Sequence, residues 1–433
     1  AGRFPGAKDL DEYWNNIANK IESSVRFQKE SHQKENFIPY KSTLDDIDKF
    51  DAEFFKITPA DAQLLDPQQR VFLESCYHAL EDAGCIDLPE DMKCSIFAGS
   101  SISTYLLNNI YPNKPLLQNR GEAQTLWSND KDYLATMIAY RLNLKGAAVS
   151  VNTACSTSLV AVSQACSSLM NFETDVVLAG GVRIEVTDTP GYHYFEGGIF
   201  SSDGHCRAFD KSADGTIFSD GCGVVVLKRL SDAIAAGDNI QAVISGYAVN
   251  NDGNDKVGFS SPSLSGQSEV IREAWEFSGV NANQISYIEA HGTGTSVGDP
   301  IEIAALQDVF NETTNRKQFC AIGSVKSNIG HCGSAAGIAG LIKVVKALQY
   351  HQLPPTINFD EPNPNCHFPE SAMYVNDELR PWPQDEVPRT ACISSFGIGG
   401  TNAHIVLQEY EKHHKDNNEP EIGLLTFSAN NAQ

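Results

Sequence analysis

This 433-residue sequence predicts an α/β fold with a largely parallel sheet, built from two similar halves. Three observations carry that expectation. Short β-branched or apolar runs alternate with segments whose apolar residues recur at helical spacing. Such alternation joins strands through helical crossovers, the connection that parallel neighbours require. The rhythm also restarts near residue 241, so two series of similar order occupy 1–240 and 241–411, a weak duplication with slight residue-level similarity. Residues 412–433 are charged and Asn-rich at their start and read as the beginning of a linker.

Composition bounds the function. Hydrophobic residues make up 41% and charged residues 20%, an ordinary globular balance. Lys+Arg 32 against Asp+Glu 55 leaves a net charge of −23, which argues against a general nucleic-acid surface, so an acidic partner must dock on a local basic patch. The 11 cysteines form no CxxC pair and no zinc-like Cys/His spacing, so they read as reduced thiols in a cytoplasmic protein. His413-His414, in the linker, reads as a solvated pair and not a metal site. No apolar run reaches the ~18–20 residues of a membrane span, and no signal-peptide pattern opens the chain. The turn-rich start at Ala1–Gly6 and the strand-like run at Ile422–Ser428 read as the cut ends of a longer polypeptide.

In chain order, Leu10 to Ile21 is a short helix candidate, followed by a polar excursion from Arg26 to Lys34. Asp66-Pro67-Gln68-Gln69 is a helix start, with an Asp cap, proline in the first turn and Gln three positions on; the helix ends at Gly84. Ser95 to Gly99 is a buried strand, and Ser101 to Leu126 has no period and reads as a long loop or insertion. A helix over Asp130–Leu142 precedes a run around Ala147–Val151 that reads as a buried strand, and Leu159, Val162, Cys166 and Leu169 then mark a helix. Strands at 175–181 and 223–230 flank a Gly-rich structured loop over 190–214, a common home for binding groups. The second series predicts strands at 241–249, 286–290, 320–325, 391–395 and 403–409, with helices at 266–277, 300–310 and 335–350.

Four stretches carry chemistry. In Val151-Asn152-Thr153-Ala154-Cys155-Ser156-Thr157, Cys155 sits where a strand meets a helix; there free N–H groups and the helix dipole lower a thiol's pKa, the setting of a nucleophile. A buried core cysteine is the alternative. Glu289-Ala290-His291-Gly292-Thr293-Gly294-Thr295 puts a histidine directly after a strand, in a glycine-rich turn that matches the position of Cys155. Its glycines let a ligand's chain approach and its threonine hydroxyls can bond it; the alternative is a histidine that only braces its loop. Lys326-Ser327-Asn328-Ile329-Gly330-His331 follows the next strand, with a lysine at an apolar strand's end and a histidine at a helix start, where the dipole keeps the ring neutral. Ser394-Ser395-Phe396-Gly397-Ile398-Gly399-Gly400-Thr401-Asn402 joins two strands; it is either a tight hairpin or a set of free N–H groups aimed at a substrate oxygen.

The order of these four motifs resembles the β-ketoacyl synthases, specifically the ketosynthase domains of modular polyketide synthases, over nearly the whole chain. The resemblance extends to Ala1–Gly6, Asp66–Arg70, Gly204–Asp210 and Asn250–Gly253. It implies a thiolase-like fold, two βαβαβαββ halves in α-β-α-β-α layers, and a homodimer. It implies an acyl carrier protein as partner, with substrates on its phosphopantetheine, an acyltransferase acting in cis or in trans, and no cofactor bound by the domain itself.

By that resemblance Cys155 takes an acyl chain as a thioester. His291 and His331 act on a malonyl-type extender as carbon dioxide leaves, and Lys326 supports them. The N–H groups of Cys155 and Ile398 form the oxyanion hole, Thr293 and Thr295 contact pantetheine, and Phe396, Gly399 and Gly400 line the substrate path, Phe396 as the gate. Asn152 stands where many relatives have Asp, and Ile398 replaces the aromatic of the fatty-acid branch. Gly191–Gly198 with Asn250–Gly253 resembles ketosynthases of mixed peptide–polyketide lines, which implies an aminoacyl or peptidyl donor. Two alternatives stand beside elongation: transacylation or gatekeeping on the same site, and a non-catalytic partner of the chain-length-factor kind, which the presence of Cys155 contradicts.

Overall fold

The computed structural model describes residues 1–28, 34–384 and 387–410. The linker, His413-His414 and the run at Ile422–Ser428 lie outside the described residues, as does part of the excursion over Arg26–Lys34.

The first half runs β1 (Gly2–Arg3), α1 (Leu10–Ala18), α2 (Pro67–Asp82), β2 (Cys94–Ser100), α3 (Leu134–Leu142), β3 (Ala148–Ser150), α4 (Thr157–Met170), β4 (Val176–Arg183) and β5 (Gly221–Lys228). The second runs β6 (Val243–Asn251), α5 (Leu264–Ser278), β7 (Ile285–Glu289), α6 (Gly298–Asn311), β8 (Cys320–Gly323), α7 (Ala336–Tyr350), β9 (Met373–Val375), β10 (Thr390–Phe396) and β11 (Thr401–Gln408). With α1, β9 and the short connecting helices and strands set aside, both halves read βαβαβαββ. The sheets show the same duplication. Their orders are β1-β5-β4-β2-β3 and β6-β11-β10-β7-β8-β9, so β3 corresponds to β8, and β2 to β7.

Two expectations change here. The sheets are mixed, not largely parallel. Pairings around β2, β7 and β8 are parallel, whereas β5 turns back against β4, and β11 against β10, without a crossover helix. His291 follows β7, so the segment that matches Cys155 by topology is the one after β8, with Lys326 and His331.

Helices α4 and α7 fill the space between the two sheets. Leu159 to Val162 and Ala336 to Val344 are buried without a break, as expected of helices covered on every side. Each buried Leu or Ile there contributes about 1.5–3 kcal/mol. Ser158 Oγ accepts the Ile338 N–H at 2.9 Å and joins the two helices. Outside, α2 and α3 cover the first sheet and α5 and α6 the second, completing five α-β-α-β-α layers. Among the described residues, no helix is long and apolar enough to cross a membrane.

Other local differences have local causes. Asp66 caps α2 by accepting the Gln68 N–H at 2.7 Å, with no reciprocal bond from Gln69. The run at Ala147–Val151 is not a buried strand: β3 is a three-residue edge bonded on one side only, and Val149 is exposed. The segment read as a loop over 101–126 holds three short helical turns, at Leu106–Ile110, Lys114–Arg120 and Glu122–Trp127.

Candidate active site

Cys155 lies in a single 3-10 turn, Ala154–Ser156, between β3 and α4. Ala154 holds a left-handed φ of 55°, a strained conformation for a residue with a Cβ, and it turns the chain sharply at the thiol. The backbone N–H groups of Ile398 and of Cys155 itself face the sulfur, and Lys326 and Arg183 add positive charge. Burial outweighs them. The thiol is raised above its ordinary value, contrary to what the helix end alone predicts, because β10, β11 and α7 pack against its turn and remove it from water.

The turn between β10 and β11 packs directly on this site. Ser395 Oγ donates to Cys155 O at 2.9 Å, and Gly397 passes so close to Thr153 that an added Cβ would stand 2.3 Å from its carbonyl oxygen. The stretch is both things its sequence allows: it is a tight hairpin, with Gly397 N–H on Thr401 O and Gly400 N–H on Gly397 O, and it turns the Ile398 N–H inward. Gly399 and Gly400, at φ 104° and 91°, form the bend, Phe396 is buried beside His291, and the Ile398 side chain is exposed.

His291 leaves β7 in a turn braced from below. Glu302, on α6, accepts the His291 N–H at 2.7 Å and the Gly292 N–H at 2.8 Å. Asp299 accepts the Gly294 N–H at 3.1 Å and the Phe209 N–H at 2.7 Å. Burial pushes the Glu302 carboxyl up to about 7 and that of Asp299 up to about 6. Thr293 and Thr295 lie with their hydroxyls 3.1 Å apart, Thr293 half-buried and Thr295 half-buried beside it. The Nδ1 of His291 is buried with no hydrogen-bond partner among the described residues.

His331 packs against His291, ring centroids 5.4 Å apart and planes at 85°. Its Nδ1 accepts the Gly333 N–H at 3.1 Å, which leaves the proton of the neutral ring on Nε2. Its backbone is held by Ile217 O and the Ser219 N–H, from the first half. Burial, with Lys326 adding to it, holds both imidazoles well below their ordinary pKa. Lys326 is buried and opens a turn of helix at Lys326–Ile329; β8 closes earlier, at Gly323, so this lysine does not end the strand.

The fold therefore gathers Cys155, Ile398, His291, His331, Lys326 and Phe396 in one place. Sequence reading missed the buried carboxylates Asp299 and Glu302, because nothing local shows that they turn onto the backbone of the His291 loop; Ser395 and Arg183 carried no local signal. A groove of about 1230 Å³ lined by Ala1, Val226, Tyr247 and Lys346 includes none of these site residues.

The class follows from comparison. The family model described as beta-ketoacyl synthase, N-terminal domain, matches residues 1–233; the C-terminal domain model matches 241–360, and the ketoacyl-synthetase C-terminal extension 362–433. The chain belongs to the β-ketoacyl synthase family, whose members are acyltransferases.

Within it, the similarity is to ketosynthases of modular polyketide synthases. One chain of the phenolphthiocerol/phthiocerol polyketide synthase of Mycobacterium tuberculosis is 46% identical over 94% of this chain, which spans 29% of that protein. Polyketide synthase PksL of Bacillus subtilis is 43% identical over 95% of this chain, which spans 9% of it. Ketosynthase twelve of the bacillaene polyketide synthase of Bacillus amyloliquefaciens superposes with a TM-score of 0.89 at 41% identity, covering 95% of this chain and 72% of that one. The ketosynthase from module 1 of the same organism's bacillaene synthase gives 0.87 at 40% identity, covering 95% and 75%. Ketosynthase domains bind no cofactor of their own; their acyl chains ride on the phosphopantetheine of acyl carrier protein domains.

Proposed function

We propose that this domain elongates a polyketide chain by decarboxylative Claisen condensation. The observation that carries the reading is that Cys155, under the Ile398 N–H, and the edge-on pair of neutral histidines, His291 and His331, all feel the charge of the same buried Lys326. The Cys155 thiolate attacks the thioester carbonyl of an acyl-pantetheine; the new C–S bond forms as the pantetheine thiolate leaves and takes up a proton. The N–H groups of Cys155 and Ile398 stabilise the oxyanion, an effect worth about 10²–10³ in rate per donor.

A malonyl-type thioester on the carrier protein then enters. His331, its Nε2–H free to donate, and His291 hydrogen-bond the thioester carbonyl while the C–C bond to the carboxylate breaks and its electron pair becomes the enolate. Neutral donors suit this step, because Lys326 already supplies the positive charge. The enolate carbon attacks the Cys155 thioester, a β-ketoacyl chain forms on the carrier, and the thiolate is regenerated. Thr293 and Thr295 serve as pantetheine contacts, and Phe396 with Gly399 and Gly400 gates the path.

We read residues 1–240 and 241–411 as the two halves and 412–433 as the start of a linker. A homodimer is supported by the outward edge of β3 and by the exposed apolar side chains Ile102, Leu126 and Trp127. The partners are an acyl carrier protein and an acyltransferase in cis or in trans, and the donor class implied by Gly191–Gly198 is aminoacyl or peptidyl. A cytoplasmic setting is supported by 11 free cysteines.

The test is intact mass after offering a panel of acyl-pantetheine thioesters, then a malonyl-loaded carrier protein. An adduct on Cys155 that vanishes as a carrier-bound β-ketoacyl product forms supports elongation. An adduct that only moves between carriers, with no carbon dioxide released, makes the domain a transacylating gatekeeper.

A further inference from the structure

Glu289 ends β7 two residues before His291, and its carboxylate is buried. Its two oxygens face different elements. Oε1 accepts the Val325 N–H at 2.7 Å, directly before Lys326. Oε2 accepts the Tyr287 hydroxyl at 2.8 Å and lies 2.7 Å from Nζ of Lys343, without the alignment of a full hydrogen bond. Lys343 sits within α7, the helix that follows His331, and is 0% exposed. One side chain thus joins the strand that delivers His291, the turn that delivers Lys326 and the central helix. Gly340 makes room for it, since an added Cβ would stand 3.0 Å from Glu289 Cγ.

A buried ion pair is a weak source of stability, because desolvation offsets its Coulombic gain and an apolar pair of similar volume often does as well. Its place behind the catalytic turns points to another use. We infer that Glu289 is a positioning residue for the decarboxylation step: its Oε1 bond to Val325 fixes the Lys326 turn against the His291 strand, while Lys343 and Tyr287 hold the carboxylate in that orientation. Glu289 touches no substrate. Its effect falls directly on the histidine and lysine turns; Cys155, which the other half delivers, feels it only through the Lys326 charge. The inference rests on the condensing reading of the site.

Two charge-free pairs separate positioning from charge and from packing. Glu289→Gln with Lys343→Met keeps an oxygen for the Val325 N–H; Glu289→Leu with Lys343→Met does not. Each is measured for thermal midpoint, acyl loading by intact mass, and carbon dioxide release from a malonyl-loaded carrier protein. The Gln pair is expected within about threefold of the parent in decarboxylation per loaded site, as for a retained hydrogen bond. The Leu pair is expected to fall by about 10²-fold with loading retained, the scale of a misplaced catalytic group. Equal decarboxylation by the two pairs overturns the inference.

Should the Leu pair not fold, Tyr287→Phe is the second variant: a several-fold loss of decarboxylation at unchanged loading supports positioning, and parental decarboxylation overturns it. If the parent protein loads but releases no carbon dioxide, the condensing reading fails by itself. The imidazole ¹⁵N signals of His291 and His331 then decide: a shift in the Leu pair alone supports positioning, and identical spectra in both pairs overturn it.

Discussion

Ser395 Oγ donates a 2.9 Å hydrogen bond to the carbonyl oxygen of Cys155, 240 positions away in the chain. The bond ties the end of β10 to the 3-10 turn of the nucleophile, so the donor turn and the thiol move as one unit. Ser395→Ala is expected to lower stability by about 1 kcal/mol, as for a lost buried hydrogen bond, and to slow acyl loading several-fold. Thermal unfolding and loading kinetics check this; unchanged loading would show that the turn holds the thiol without it.

Cys155→Ala is expected to abolish acyl loading, read by intact mass. An adduct that persists on that variant would remove the nucleophile assignment. His291→Ala is expected to load normally but not to condense, and normal condensation would show the histidine assignment to be wrong.

Gly397→Ala places a methyl group 2.3 Å from the Thr153 carbonyl oxygen. The hairpin must then lift, and the Ile398 N–H lifts with it. Acyl transfer is expected to fall by about 10²–10³, the cost of one oxyanion donor. Retained transfer would place the oxyanion elsewhere.

The pH dependence follows from burial. Both histidines are held neutral well below 6.5, so carbon dioxide release should show no acid limb near that pH. The Cys155 thiol is raised above 9.0, so loading should keep rising through pH 9 as the thiolate fraction grows. A loading plateau near neutrality would contradict the raised thiol.

Glu302 titrates in the opposite sense to a salt-bridged acid. Its carboxyl sits at about 7 in the folded protein, against about 4.3 in an unfolded chain. Between those values the folded state binds more protons, so the contribution of Glu302 to stability falls as pH rises from about 4.3 to 7. Glu302→Gln removes that fall, and denaturation measured at pH 5 and pH 7 should show the variant gaining on the parent at the higher pH. Its amide nitrogen cannot accept a second N–H, so decarboxylation is expected to drop about tenfold, as for a lost charge-assisted bond.

The order of elements and the candidate reacting residues were legible in the sequence, because both are local. Apolar period, an Asp-Pro cap and glycine-rich turns act over a few residues, and they put Cys155 and His291 beyond strand ends, His331 before a helix and the glycine turn between two strands, where the structure has them. Partnership across the chain was not legible. That β3 is an exposed edge, that the sheets are mixed, and that the loops after β3 and β8 are the equivalent pair are decided by which strands meet. Protonation is collective in the same way. The dipole at the start of α4 predicts a lowered thiol, yet the burial that overrides it comes from β10, β11 and α7, far away in the chain. Nothing in the sequence names the partners of Asp299, Glu302 and Glu289; the tertiary structure encloses them and turns them onto the backbone of the catalytic turns. Sequence alone determined which groups are present and in what order; desolvation and long-range packing, which sum over both halves, decided their charge and their partners.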